Sequence, residues 1–289
     1  MKEFLIDFNI VKFLYEPFQN YLFMRRALAA CIAIILSSVP LGVILIQRRM
    51  SLLGEALSHG TLPGIAIAYL IGGMHLPALT LGGSIAGLLV AFLSHFVSRH
   101  TPLKEDASFS SFYMIALALG ILILSLKEGS IKLVHLLFGN VLAVDPSSLI
   151  FMALISTISL IAFAYIYRPL VYDCFDPLFT QSLRLPKNLF NFIFLGLVVT
   201  NLVAAYQALG TLMALGIMMV PAVTARLLVH RLVSIFLVSI IVGLLSSYSG
   251  LLLSYYFNWP SGPTIILVTG IFYFLSLIYI MIRRFFRID

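Results

Sequence analysis

Apolar runs of membrane-spanning length recur along this chain from one end to the other, and they constrain its fold more than any other feature. They fall at 27–46, 52–72, 78–98, 109–126, 148–167, 189–208, 211–229, 233–254 and 263–282. A helix needs about 20 mostly apolar residues to cross the hydrocarbon layer. Inside that layer the backbone must satisfy its own hydrogen bonds, so only helices or closed barrels span it, and unbroken runs of this length exclude barrel strands. The chain is therefore expected to be all-α, a polytopic membrane bundle of about eight or nine transmembrane helices. The shorter stretch "VHLLFGNVLAV" at 134–144 is expected to be re-entrant or interfacial.

Composition agrees, since 61% of residues are hydrophobic and 10% charged, far from the balance of a soluble domain. With no repeat and no linker, residues 1–289 read as a single domain, residues 1–24 forming a peripheral N-terminal segment. Lys2, Glu3, Asp7, Lys12, Glu16 and Arg25 interrupt the first 25 residues, so no cleavable signal peptide is expected there. The net charge of +7 resides mainly in short loops. No basic face can form from it, so the expected surroundings are membrane lipid and no nucleic acid. Cys31 lies in an apolar run and Cys174 in a polar loop, which offers neither a disulfide framework nor a CxxC site. The Lys and Arg pattern places 48–49, 99–106, 168–188, 226–231 and the C-terminus in the cytoplasm. Alternation then puts the N-terminal segment outside, against the charge of its own Lys2, Lys12, Arg25 and Arg26.

Within this oily chain, "MSLLGEALSHGTLPG" (50–64) is a polar knot. On a helix Glu55, Ser58 and His59 stand at i, i+3 and i+4 and share a face. Pro63 cannot donate to the carbonyl of His59, so carboxylate, hydroxyl, imidazole and a freed carbonyl are expected to face one point. A membrane carboxylate costs about 3 kcal/mol at a helix centre, which favours a functional role for Glu55 with His59. For Ser58 alone the favoured reading is a hydrogen-bonding link between helices. Carboxylate with imidazole suits zinc, manganese or iron, and the lack of a thiolate on that face disfavours copper(I).

Other residues have plainer alternatives. His135 either contacts metal or satisfies a local carbonyl, the second being favoured. Arg25 and Arg26 either face an acidic partner or anchor the interface by snorkelling. The loop "FDPLFTQSLRL" (175–185) allows Asp176 to cap a short helix with Pro177 at its first position. Phe179 and Leu183 then form an i, i+4 apolar stripe that fits a partner's groove or packs on its own protein. Pro221 is expected to kink its span. The chain has no Gly-Lys dipeptide, hence no Walker A loop of its own.

"RRMSLLGEALSHGTLPG" (48–64) resembles the signature of the metal-ion ABC transporter permeases, the zinc and manganese importers of the ABC-3 family. "HLLFGNVLAV" (135–144), "FDPLFTQSLRL" and "GTLMALGIMMVPAVTARLL" (210–228) resemble the family in the same order. The resemblance implies a permease of the bacterial cytoplasmic (inner) membrane that passes Zn2+, Mn2+ or Fe2+ inward, with no permanently bound cofactor. It implies three partners: a separate ABC ATPase, an extracytoplasmic metal-binding protein, and a second copy of the chain (a homodimer) or a paralogous permease. It also implies metal-path roles for Glu55, Ser58 and His59, a coupling helix at Asp176, Pro177, Phe179 and Leu183, and a docking role for Arg25 and Arg26. The family's acidic position is more often Asp, so Glu55 reaches one methylene further. Two other classes compete: an ion-coupled secondary metal transporter with Glu55 and His59 carrying protons, and an intramembrane metalloprotease, disfavoured because HExxH is absent.

Overall fold

A chain that cannot leave backbone N–H groups open in lipid has one economical solution, and all the regular structure described in this computed structural model is helical. It describes residues 10–73, 75–101, 105–125, 141–175 and 187–285. In chain order the helices are α1 (Ile10–Asn20), α2 (Leu22–Gln47), α3 (Ser51–Gly60), α4 (Leu62–Gly72), α5 (Leu76–His100) and α6 (Glu105–Ser125). After a 3-10 turn at Val141–Ala143 come α7 (Pro146–Phe175), α8 (Lys187–Leu209), α9 (Thr211–Leu228), α10 (Leu232–Phe257) and α11 (Ser261–Phe285). Among the described residues seven helices are long and apolar enough to cross a membrane, and α6 carries a shorter apolar segment at Ala107–Ile123.

The expected span at 52–72 is not one helix but two, α3 and α4, divided at Thr61. Pro63 removes the donor that would continue the ladder, and Thr61 restores the pairing locally. Its N–H reaches the Leu57 carbonyl at 3.1 Å, its hydroxyl donates to the Ser58 carbonyl at 2.8 Å, and its carbonyl accepts from Ile65 at 3.1 Å. A backbone N–H at this cap also bonds the His59 carbonyl. That carbonyl is therefore not freed as the proline alone predicts.

Helix α2 is the centre of the bundle, packed against α7, α9 and α10 and buried continuously from Ser37 to Leu45. Small residues set how closely its neighbours come. A methyl added at Gly42 would lie 2.0 Å from the Met218 carbonyl oxygen of α9. Polar groups link the layers: Ser37 donates to Ser156 at 3.1 Å, and Asn201 donates to Ser159 at 2.7 Å. Ile85, Leu122, Ile161 and Ile271 stand exposed on the outer faces, as side chains that meet lipid do.

The two ends of the bundle differ in what they hold. The ends of α2, α5 and α7 and the starts of α6 and α8 surround one cavity of about 570 Å3. The end of α9 joins them, where Arg226 donates to the Ile46 carbonyl at 2.7 Å. At the opposite end Phe18 of α1 stacks on Tyr248, centroids 5.0 Å apart, and Tyr21 meets Tyr255 at 5.4 Å. Arg25 and Arg26, in the first turns of α2, belong to that second end, away from Arg48.

Helices α4 and α5 touch backbone to backbone. A methyl at Gly64 would sit 2.0 Å from the Gly82 carbonyl oxygen, whereas one at Gly270 meets nothing within 4 Å. Gly64→Ala is therefore expected to cost about 1–3 kcal/mol of stability. Gly270→Ala should be neutral, and thermal unfolding of both variants in one detergent checks the contrast.

Candidate functional site

Helix α3 is amphipathic in an unusual sense: most of it enters the core, and one acidic residue does not. Leu53, Ala56 and Leu57 are buried. Gly54 admits α9, since a methyl there would lie 2.6 Å from the Met219 Cε. Glu55 is exposed, and no described residue pairs with its carboxylate. One turn on, His59 is half-buried, with its Nδ1 buried and lacking a hydrogen-bond partner among the described residues. Its ring stands 6.0 Å from that of Tyr113 on α6, tilted by 32°.

Ser58 points elsewhere. It is 1% exposed, and its hydroxyl accepts a hydrogen bond from the Tyr206 phenol of α8 at 2.5 Å. Tyr206 is among the largest fully buried side chains, so this bond lies in the packed interior. The three-residue knot of the sequence thus resolves into a carboxylate and imidazole at one surface and a hydroxyl that ties α3 to α8. Sequence reasoning missed Tyr206, Tyr113 and Met219, because no spacing relates them to residues 55–59.

Among the described residues no three of His, Cys, Asp and Glu converge as a metal cluster. One chain brings Glu55 and His59 together, which is fewer donors than a divalent cation takes. Arg25 is exposed and Arg26 half-buried at the far end of α2. His135, Asp176, Pro177, Phe179 and Leu183 lie outside the described residues, the last four between α7 and α8.

The signature of the ABC 3 transport family matches residues 20–280. The chain belongs to that family. An uncharacterised membrane protein from the ycf23-apcF intergenic region of Cyanophora paradoxa is 35% identical, covering 94% of this chain and 90% of its own. The manganese import system permease protein ScaB of Streptococcus parasanguinis is 30% identical, covering 90% and 92%. Among solved structures, a chain of PsaBC from Streptococcus pneumoniae in complex with Fab superposes with a TM-score of 0.82 at 29% identity, covering 92% of this chain and 95% of that one. The permease is a multi-pass protein of the bacterial cytoplasmic membrane, a membrane-spanning transport subunit.

The Ser58–Tyr206 bond has a measurable consequence. Ser58→Ala and Tyr206→Phe should each destabilise the permease, and the double variant should cost less than their sum. The difference is expected to be about 1 kcal/mol, in the range found for hydrogen bonds between membrane helices. A double-mutant cycle of unfolding in detergent measures it.

Proposed function

We propose that this permease carries a divalent transition-metal ion inward, with Glu55 and His59 lining the path and Mn2+ as the favoured cargo over Zn2+ and Fe2+. The observation that carries this reading is the unpaired Glu55 carboxylate one turn from a buried, unpartnered His59 nitrogen, on a short helix of a membrane permease. An ionisable pair in such surroundings is costly unless a cation or a pathway requires it. Carboxylate and imidazole without thiolate suit Mn2+, and the similarity to a permease named for manganese import points the same way.

Two copies of the chain, or this chain with a paralogous permease, would bring two Glu55-type carboxylates and two imidazoles to a shared axis. That supplies about four donors, enough to replace much of an ion's hydration shell. Ser58 supports the path by holding α3 through Tyr206. Energy comes from a separate ABC ATPase docked on the segment containing Asp176, Pro177, Phe179 and Leu183. An extracytoplasmic binding protein delivers metal to the end of the bundle that carries Arg25 and Arg26.

Cells expressing the permease with its ATPase and binding protein should accumulate Mn2+, and the Glu55→Ala, His59→Ala double variant should lose at least about tenfold of that uptake. Undiminished accumulation of Mn2+, Zn2+ and Fe2+ by a well-expressed double variant would remove this pair from the path. Loss confined to zinc or iron would reassign the cargo. For the docking segment, Phe179→Asp should abolish copurification of the ATPase, and retention of the complex would place the contact elsewhere.

A further inference from the structure

Arg48 is the last residue of α2's terminal turn, and Ser51 begins the helix that carries Glu55 and His59. The connection is only the turn between them. Arg49 holds φ 58°, the left-handed conformation that glycine usually fills at this place, while its N–H bonds the Ile46 carbonyl at 3.1 Å and the Met50 N–H bonds Leu45 at 2.9 Å. A non-glycine residue in that conformation persists where its surroundings hold it.

The Arg48 side chain supplies such a hold. Its Nη2 lies 3.2 Å from Asp173 Oδ2 and its Nη1 donates to Asn191 Oδ1 at 2.7 Å. Its guanidinium carbon stands 5.3 Å from the centroid of the Phe194 ring. Arg48 and Asp173 are each only 11% exposed at the side chain, so water screens this ion pair little. Asp173 belongs to the last turn of α7, whereas Asn191 and Phe194 belong to the first two turns of α8. One planar side chain therefore joins three things: the turn into α3, the end of α7 and the start of α8. Lysine cannot make that fork, because its single ammonium reaches one acceptor at a time where guanidinium spans two.

We propose that Arg48 is the positioning residue that transmits movement from the α7–α8 junction to α3, and so couples ATP hydrolysis to the opening of the metal path. The proposal rests on the reading that the ATPase docks between α7 and α8. A displacement of that junction moves Asp173 and Asn191 together, and the guanidinium that binds both carries the α2–α3 turn with them. Without Arg48 the ATPase still docks and still hydrolyses ATP, but α3 no longer follows.

The test is the ratio of metal moved to ATP hydrolysed by the permease–ATPase complex in proteoliposomes, supplied with binding protein and Mn2+. Loss of folded protein lowers both rates together and leaves the ratio unchanged, whereas loss of transmission lowers the ratio alone. Arg48→Ala should copurify with its ATPase and hydrolyse ATP within about twofold of wild type, with metal moved per ATP falling about tenfold. Arg48→Lys and Asn191→Ala should fall between. An unchanged ratio in Arg48→Ala overturns the proposal. So does failure of both Arg48→Ala and Asn191→Ala to assemble with the ATPase, which would make the contact a structural brace. If instead Phe179→Asp keeps the ATPase bound, the docking reading fails and the proposed route through the α7–α8 junction fails with it, whereas an unchanged Arg48→Ala ratio with Phe179→Asp releasing the ATPase overturns this proposal alone.

Discussion

Carbonyls inside the bundle accept more than the N–H groups of their own ladders. Thr80 donates to Leu76, Thr224 to Val220, Ser239 to Ile235, Ser246 to Val242 and Thr269 to Ile265, each within a single helix. This back-bonding lets hydroxyl residues enter an apolar interior without seeking a distant partner. It also sharpens the meaning of polar groups that are not handled in this way. The Glu55 carboxylate and the His59 Nδ1 have no such local acceptor or donor among the described residues. An open hydroxyl is a small expense in lipid, but a carboxylate beside an imidazole is a different order of cost.

Close packing then determines what α3 can do. Gly42 brings α2 and α9 into backbone contact, Gly64 and Gly82 do the same for α4 and α5, and Gly54 admits Met218 and Met219 against α3. Contacts of this kind resist sliding, because any added volume meets backbone or a packed side chain. The break at Thr61 separates α3 from α4 while the Leu57, Ser58, His59 and Thr61 carbonyls remain bonded. Thr61 itself keeps helical dihedrals, φ −80° and ψ −19°, so the joint is a local interruption of the ladder at Pro63 rather than a change of chain direction set by Thr61.

Most of the spans, the all-helical class and the shared face of Glu55 and His59 were legible in the sequence, because hydropathy and helical spacing are local properties; the expected span at 52–72 was not, since it divides into α3 and α4. The continuous apolar run at 52–72 concealed the interruption beside Pro63, and the fate of the His59 carbonyl was not legible, since it depends on the cap N–H at Thr61. Ser58 shows the same limit more strongly. Its spacing put it with Glu55 and His59, yet its hydroxyl meets Tyr206, 148 residues away in the chain. Arg48 likewise meets Asp173 across 125 residues and Asn191 across 143. Side chains within one helical turn can be assigned from spacing, whereas pairs between helices exist only once the bundle order is known. The charge pattern left Arg25 and Arg26 with two opposed indications: their own charge argued for the cytoplasm, and alternation counted from the other loops argued against it. The contacts of α1 with α10 agree with the alternation.

Helix α8 brings these separate contacts into one mechanical unit. Asn191 in its first turns holds Arg48, and Tyr206 near its other end holds Ser58. Along a helix rising 1.5 Å per residue, these two points are about 22 Å apart. A helix packed on α7 and α5 over that length moves as a rigid body more readily than it bends. The start of α3 and its last turn are therefore referred to the same rod, one through a charged fork and the other through a buried hydroxyl pair. Glu55 lies between these two attachment points. A tilt of α8 about its middle would shift the ends of that short stretch in opposite directions, turning the carboxylate relative to the path, whereas a translation along its axis would carry both together. In the proposed coupling, the spacing of the two contacts would convert a rotation at the α7–α8 junction into a reorientation of Glu55 and His59, which neither contact would produce alone.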